Sequence, residues 1–118
     1  MASTLLEMPP HRAVEQLEAE LGLSQSDIAG ALATSSRTIG RWRVGETYPQ
    51  REVRARLTAL LDLQHHLLET FSASEATREW LRTANRYLGG LAPVEALRVG
   101  RLDRVEAALE ALDSGVFL

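Results

Sequence analysis

Between Ser35 and Glu46 the chain reads SSRTIGRWRVGE, two serines followed by three arginines set around a tryptophan. On a helix, Arg37 and Arg41 lie four residues apart and stack on one side, while Ile39 and Trp42 turn to the other. Guanidinium groups placed in this way can grip guanine O6 and N7, or a phosphate, as planar forks. Ser35 and Ser36, with the free N–H groups of a helix start, suit phosphate or base contact. Gly40 costs about 1 kcal/mol of helix propensity at the centre of this face, a cost that close approach of a groove wall would explain. The plainer reading is a solvated polar face, and the stretch alone leaves both open.

Charge along the chain sharpens the first reading. The 118 residues carry a formal charge of −3, yet Arg37, Arg41, Arg43, Arg51, Arg54 and Arg56 face only Glu46 and Glu52 across that segment, a local excess of four positive charges. A basic island in an acidic chain points to a polyanion-binding face beside a second surface with another task. All thirteen basic residues are arginine, a bias that a GC-rich genome explains as readily as phosphate binding does.

Other chemistries find little support. With no cysteine, neither a disulfide nor a thiolate metal site can form. His65 and His66 are adjacent, so on a helix they point about 100° apart and do not converge on one ion. No glycine-rich phosphate loop follows a strand, and Glu106 and Glu110 read as a solvated face. Neither an enzyme, a metal site nor a cofactor is expected. The start MASTLLEMPP has no positive flank, and nothing approaches the ~18 apolar residues of a membrane span. A soluble cytoplasmic protein without membrane contact is expected.

The elements that must position these residues are all helical. Val14, Leu17 and Leu21 predict a first helix from His11 to about Gly22, after an arm over residues 1–10 that closes with two prolines. Ser24, with Asp27 three residues on, starts a second helix in a weak form of the capping box. Ser35 caps a third, which runs to about Val44. A fourth spans about Gln50 to Phe71, and its apolar stripe is too wide for one neighbour, which implies contacts on both sides, with a partner subunit or the C-terminal unit. SASE (Ser72 to Glu75) reads as a capping box for a fifth helix through Trp80 and Leu81. Pro93 opens a short helix that Gly100 closes, and a last one carries Leu102, Val105, Leu109 and Leu112 on one face until Gly115. No strand alternation and no internal repeat is present. The fold class is all-α, with an N-terminal unit over 11–71 and a C-terminal helical unit over 72–118.

The second and third helices meet the needs of a helix-turn-helix. Gln25, Ala29, Ala33, Ile39 and Trp42 stand at its polar start, close crossing, turn and two inner apolar positions. The N-terminal unit resembles the Xre or lambda-repressor type of DNA-binding domain. This implies that the third helix enters the major groove, with Ser35, Ser36, Arg37, Gly40 and Arg41 at or near the bases and Gln25 and Arg43 on the flanking backbone. The turn residue of that family is usually glycine because its backbone tends to φ > 0. Ala33 would cost roughly 1 kcal/mol there, or the turn would be altered. Such a unit reads one half-site, so a homodimer on operator DNA is expected.

The C-terminal stretch also carries a resemblance. Trp80-Leu81, Asn85, Leu88-Gly89-Gly90, Pro93, Leu97, Gly100, Val105, Leu109 and Gly115 stand as in the toxin-binding domain of the MbcA/ParS/Xre antitoxins, the partners of RES-domain toxins. The resemblance implies an antitoxin that blocks a NAD-consuming RES toxin and represses its own operon. It also implies contact with the toxin through Asn85, Arg86 and the end of the chain, from Gly115 through Val116, Phe117 and Leu118. The apolar tail suits that role, since exposed apolar ends are unusual unless something covers them; Phe117 folding back on the fifth helix is the plainer alternative. Two other functions fit the same residues: a stand-alone regulator whose C-terminal helices only dimerise, and an adaptor that docks a protein and no longer binds DNA.

Overall fold

The computed structural model describes residues 8–115. Most of the expected arm and the tail residues Val116, Phe117 and Leu118 lie outside that range. Within it the chain forms seven α-helices and a single 3-10 turn, with no strand. They are α1 (Pro10–Leu21), α2 (Gln25–Ala31), α3 (Ser36–Arg43), α4 (Arg51–Phe71), α5 (Ser74–Leu81), the 3-10 turn Arg86–Leu88, α6 (Pro93–Arg98) and α7 (Leu102–Asp113). The expected all-α class is the one observed.

Local chemistry explains most of the boundaries. Pro10 occupies the first position of α1, where a missing N–H costs nothing, and Gly22 ends the helix in the left-handed region at φ 67°. The capping box of α2 is complete: the Asp27 N–H donates to Ser24 Oγ, and the Ser24 N–H donates to Asp27 Oδ2, both at 3.0 Å. Ser35 caps α3 by accepting from the Thr38 N–H at 3.1 Å. Ala33 holds the turn between them at φ 56°. The helix-turn-helix geometry is therefore kept, and the strain of a Cβ in the left-handed region is carried by the protein.

Two local expectations give way. Ser72 ends α4 in the left-handed region at φ 58°, which leaves Ala73 as the residue before α5 with no side-chain cap. The SASE box cannot form because the chain must reverse sharply after Phe71, and Ser72 is consumed in that reversal. Leu112 is 39% exposed, and Ala108 is buried in α7 in its stead.

One apolar core runs through both halves. Leu17 and Leu21 of α1, Ile28 of α2, Ile39 and Trp42 of α3, and Leu57, Leu60, Leu63 and Leu67 of α4 share it with Leu81, Leu97, Val105 and Leu109. The wide stripe of α4 is filled within the chain, by α1 on one side and by α5 and α7 on the other. Phe71 meets Trp80 across the α4–α5 corner, with ring centroids 5.9 Å apart.

Polar contacts join the halves as well. Arg78 of α5 and Arg82 just past its end donate to the carbonyls of Ala19, Leu21 and Gly22, placing two cations on the C-terminal end of α1. Gly30 of α2 lies so close to α6 that a Cβ there would stand 2.3 Å from the Arg98 carbonyl oxygen. Beside it, Arg98 Nε donates to Asp27 Oδ1 at 2.6 Å. Among the described residues, every buried side-chain nitrogen or oxygen has a partner.

Candidate functional site

Burial of Ile39 and Trp42 (0% and 2% exposed) fixes the rotation of α3, and its opposite face opens outward. Gln25, Ser36, Arg37, Gly40 and Arg41 line one shallow cleft there, together with Val44 and Glu46. Five of the seven residues expected to meet nucleic acid are thus brought together by α2 and α3. Arg37 is exposed and makes no ion pair among the described residues. Arg41 is half exposed, with Glu46 4.0 Å from its Nε, too loose a pair to withhold it from a ligand.

The other two expected residues are engaged within the protein. The Ser35 hydroxyl is the cap of α3. Arg43 turns away from the cleft: its Nε donates to Gln25 Oε1 at 2.8 Å, and its Nη2 pairs with Glu18 of α1. Gln25 in turn donates from Nε2 to the Ser36 carbonyl at 2.8 Å. Glu18, Arg43, Gln25 and Ser36 therefore form a strut that sets α3 against α1 and α2. Gly40 belongs to the same packing, since a Cβ there would come within 3.4 Å of Gln25 Nε2.

In the C-terminal half, Asn85 caps the 3-10 turn, its Oδ1 accepting from the Tyr87 N–H at 2.9 Å. Arg86 beside it is exposed. Gly89 and Gly90, at φ 68° and 94°, carry a backbone that side chains resist. Gly115 follows α7 at φ 75°, and the tail residues beyond it lie outside the described range.

Three features escaped the sequence reading. Asp27 serves as cap and ion-pair partner at once. Burial pushes its carboxyl upward, but the Arg98 guanidinium and the Ser24 N–H outweigh that and hold it below the usual carboxylate range. Glu106, expected in solvent, lies 2.5 Å from His66 Nδ1, while Asp113 Oδ2 lies 2.6 Å from Nε2. Burial pulls the His66 pKa down; the bonds to Asp113 and Glu106 more than offset this and raise it. Leu91 and Val99 are 49% and 72% exposed, though nothing in helical period sets them apart. No group of three or more His, Asp or Glu among the described residues could hold a metal ion. None of the described helices is long and apolar enough to cross a membrane.

Residues 66–115 match the model of the Antitoxin Xre/MbcA/ParS C-terminal toxin-binding domain. Over 98 residues the chain is 32% identical to the mycobacterial cidal antitoxin MbcA of Mycobacterium bovis, spanning 83% of this chain and 86% of that protein. MbcA of Mycobacterium tuberculosis gives the same identity over the same span. The fold is similar to a chain in the crystal structure of the M. tuberculosis MbcT–MbcA toxin–antitoxin complex, with a TM-score of 0.65 and 29% identity; 92% of this chain and 96% of that one are covered.

Proposed function

The chain belongs to the Xre/MbcA/ParS family of antitoxins, and from that premise we propose that it binds and blocks a RES-domain, NAD-consuming toxin and represses its own operon. The observation that carries the toxin half is the likeness to MbcA along 83% of the chain, which extends well beyond the C-terminal domain alone. Toxin contact runs through the C-terminal unit over 72–118, with Asn85, Arg86 and the end of the chain from Gly115 to Leu118 among its contacts.

The DNA half rests on the cleft of α3. Arg37 projects from the first turn and Arg41 from the last turn of a short helix whose inner residues Ile39 and Trp42 are buried, a presentation that suits major-groove reading. Ser35 and Ser36 lie where the helix start meets the phosphates. Gln25 and Arg43 act as the strut that fixes the angle of approach, and Gly40 leaves room between the arginines. One α3 covers one half-site, so the repressor works as a homodimer on operator DNA.

Two measurements test the reading. The protein should copurify with the RES-domain product of the neighbouring gene, and it should shift its own promoter in a gel. Arg37→Ala should cost about 1–3 kcal/mol of promoter binding and relax preference at one base position, with toxin binding unchanged. Promoter binding equal to wild type would refute the role of α3. Failure to bind the neighbouring gene product would refute the antitoxin role.

A further inference from the structure

We infer that Leu91 and Val99, with Arg101 and Arg104 at their rim, form a preformed docking surface for the toxin. The surface takes an apolar side chain flanked by carboxylates. The inference deepens the antitoxin reading and rests on it. The cleft between the two side chains is floored by Leu88 and Ala96, both nearly buried. It lies wholly within residues 66–115, the segment that matches the toxin-binding domain.

Both apolar side chains are held on closed turns. The Asn85 N–H donates to the Leu91 carbonyl at 3.0 Å, and the Gly90 N–H donates to the Asn85 carbonyl at 2.9 Å. Around Val99, Gly100 donates to Leu97 and Arg101 to Ala96, each at 2.9 Å. Backbone so fixed loses little freedom when a partner arrives, which is the condition for an efficient anchor. The core is filled by other residues, and Leu91 and Val99 stand outside it.

The occupant can be narrowed by charge. A second copy pairing through the same patch would set Arg101 and Arg104 against their own counterparts across a two-fold axis. Arg101 shares its charge with Asp103 at 3.0 Å, but Arg104 makes no ion pair among the described residues. The rim is thus net positive, and a partner surface with an apolar side chain among carboxylates complements it.

The test uses the full-length protein and the purified RES-domain product of the neighbouring gene, titrated in a calorimeter. Leu91→Asp/Val99→Asp should weaken toxin binding about a hundredfold, and Val99→Asp alone about tenfold. Arg104→Glu should weaken it about tenfold at low salt, and by less as salt rises. Promoter shifts and melting temperature should stay at wild-type values, because the altered side chains are exposed and none lines the α3 cleft. Wild-type toxin binding with both Val99→Asp and the double variant within about threefold of it would overturn the inference while leaving the antitoxin reading intact. No binding by the wild-type protein would overturn both.

Discussion

Replacing Asp27 by alanine strikes the junction between the helix-turn-helix and the C-terminal helices at its centre. Asp27 is 4% exposed, and its carboxylate divides its oxygens between the Ser24 N–H at 3.0 Å and Arg98 Nε at 2.6 Å. Losing half of the capping box costs about 0.5–1 kcal/mol. A charge-assisted bond is worth about 1.5–3 kcal/mol when protected, but the Arg98 side chain is 53% exposed, so water replaces part of it and the lower end applies. The sum is about 2–2.5 kcal/mol, or a fall of about 8–10 °C in Tm for a chain of this size. Thermal melting at neutral pH reads it directly. A double-mutant cycle with Arg98→Ala should return a coupling of about 1–2 kcal/mol. Because the carboxyl is depressed in the folded state, its contribution is present above the unfolded pKa of about 3.9 and is lost as pH falls through the folded value. The gap between wild type and Asp27→Ala should therefore close in acid. A Tm loss under about 2 °C, or a coupling below about 0.3 kcal/mol, would refute the reasoning.

Two further outcomes follow from single residues. Ala33→Gly removes about 1–2 kcal/mol of left-handed strain and adds about 0.5–1 kcal/mol of chain entropy. It should raise Tm by about 2–4 °C; a lower Tm would mean that Ala33 is not strained. His66 has a raised folded pKa, so its stabilisation is full below the unfolded value of about 6.5 and is lost as pH rises through the folded value. His66→Gln should melt below wild type at about pH 5.5, and the gap should narrow on the alkaline side. A gap that does not change with pH would show that the charge on His66 is irrelevant to the α4–α7 contact.

Helix positions, the helix-turn-helix register and the outward face of α3 were legible in the sequence. Each depends on partners three or four residues away: Ser24 on Asp27, Ser35 on Thr38, Ile39 on Trp42. Left-handed stops at Gly22, Gly100 and Gly115 were legible for the same reason, since the backbone conformation belongs to the residue itself. Even the unusual Ala33 could be located, though only the fold shows that it keeps the turn and bears the strain.

What tertiary structure alone decided are the pairings between distant positions. Arg98 reaches Asp27 across 71 residues of sequence, and Asp113 reaches His66 across 47. Arg43 looked like a phosphate clamp by its place in the motif; packing of α1 brings Glu18 to it and makes it a strut. Ser72 had the pattern of a cap, and the reversal after α4 took it for another purpose. Leu91 and Val99 look like ordinary core residues in a string of letters. Whether such a side chain is inside or outside depends on which helices close over it, and α6 and α7 close over Leu97 and Val105 while leaving these two in water. Periodicity reports a helix's own geometry, whereas burial is a property of the neighbours it finds.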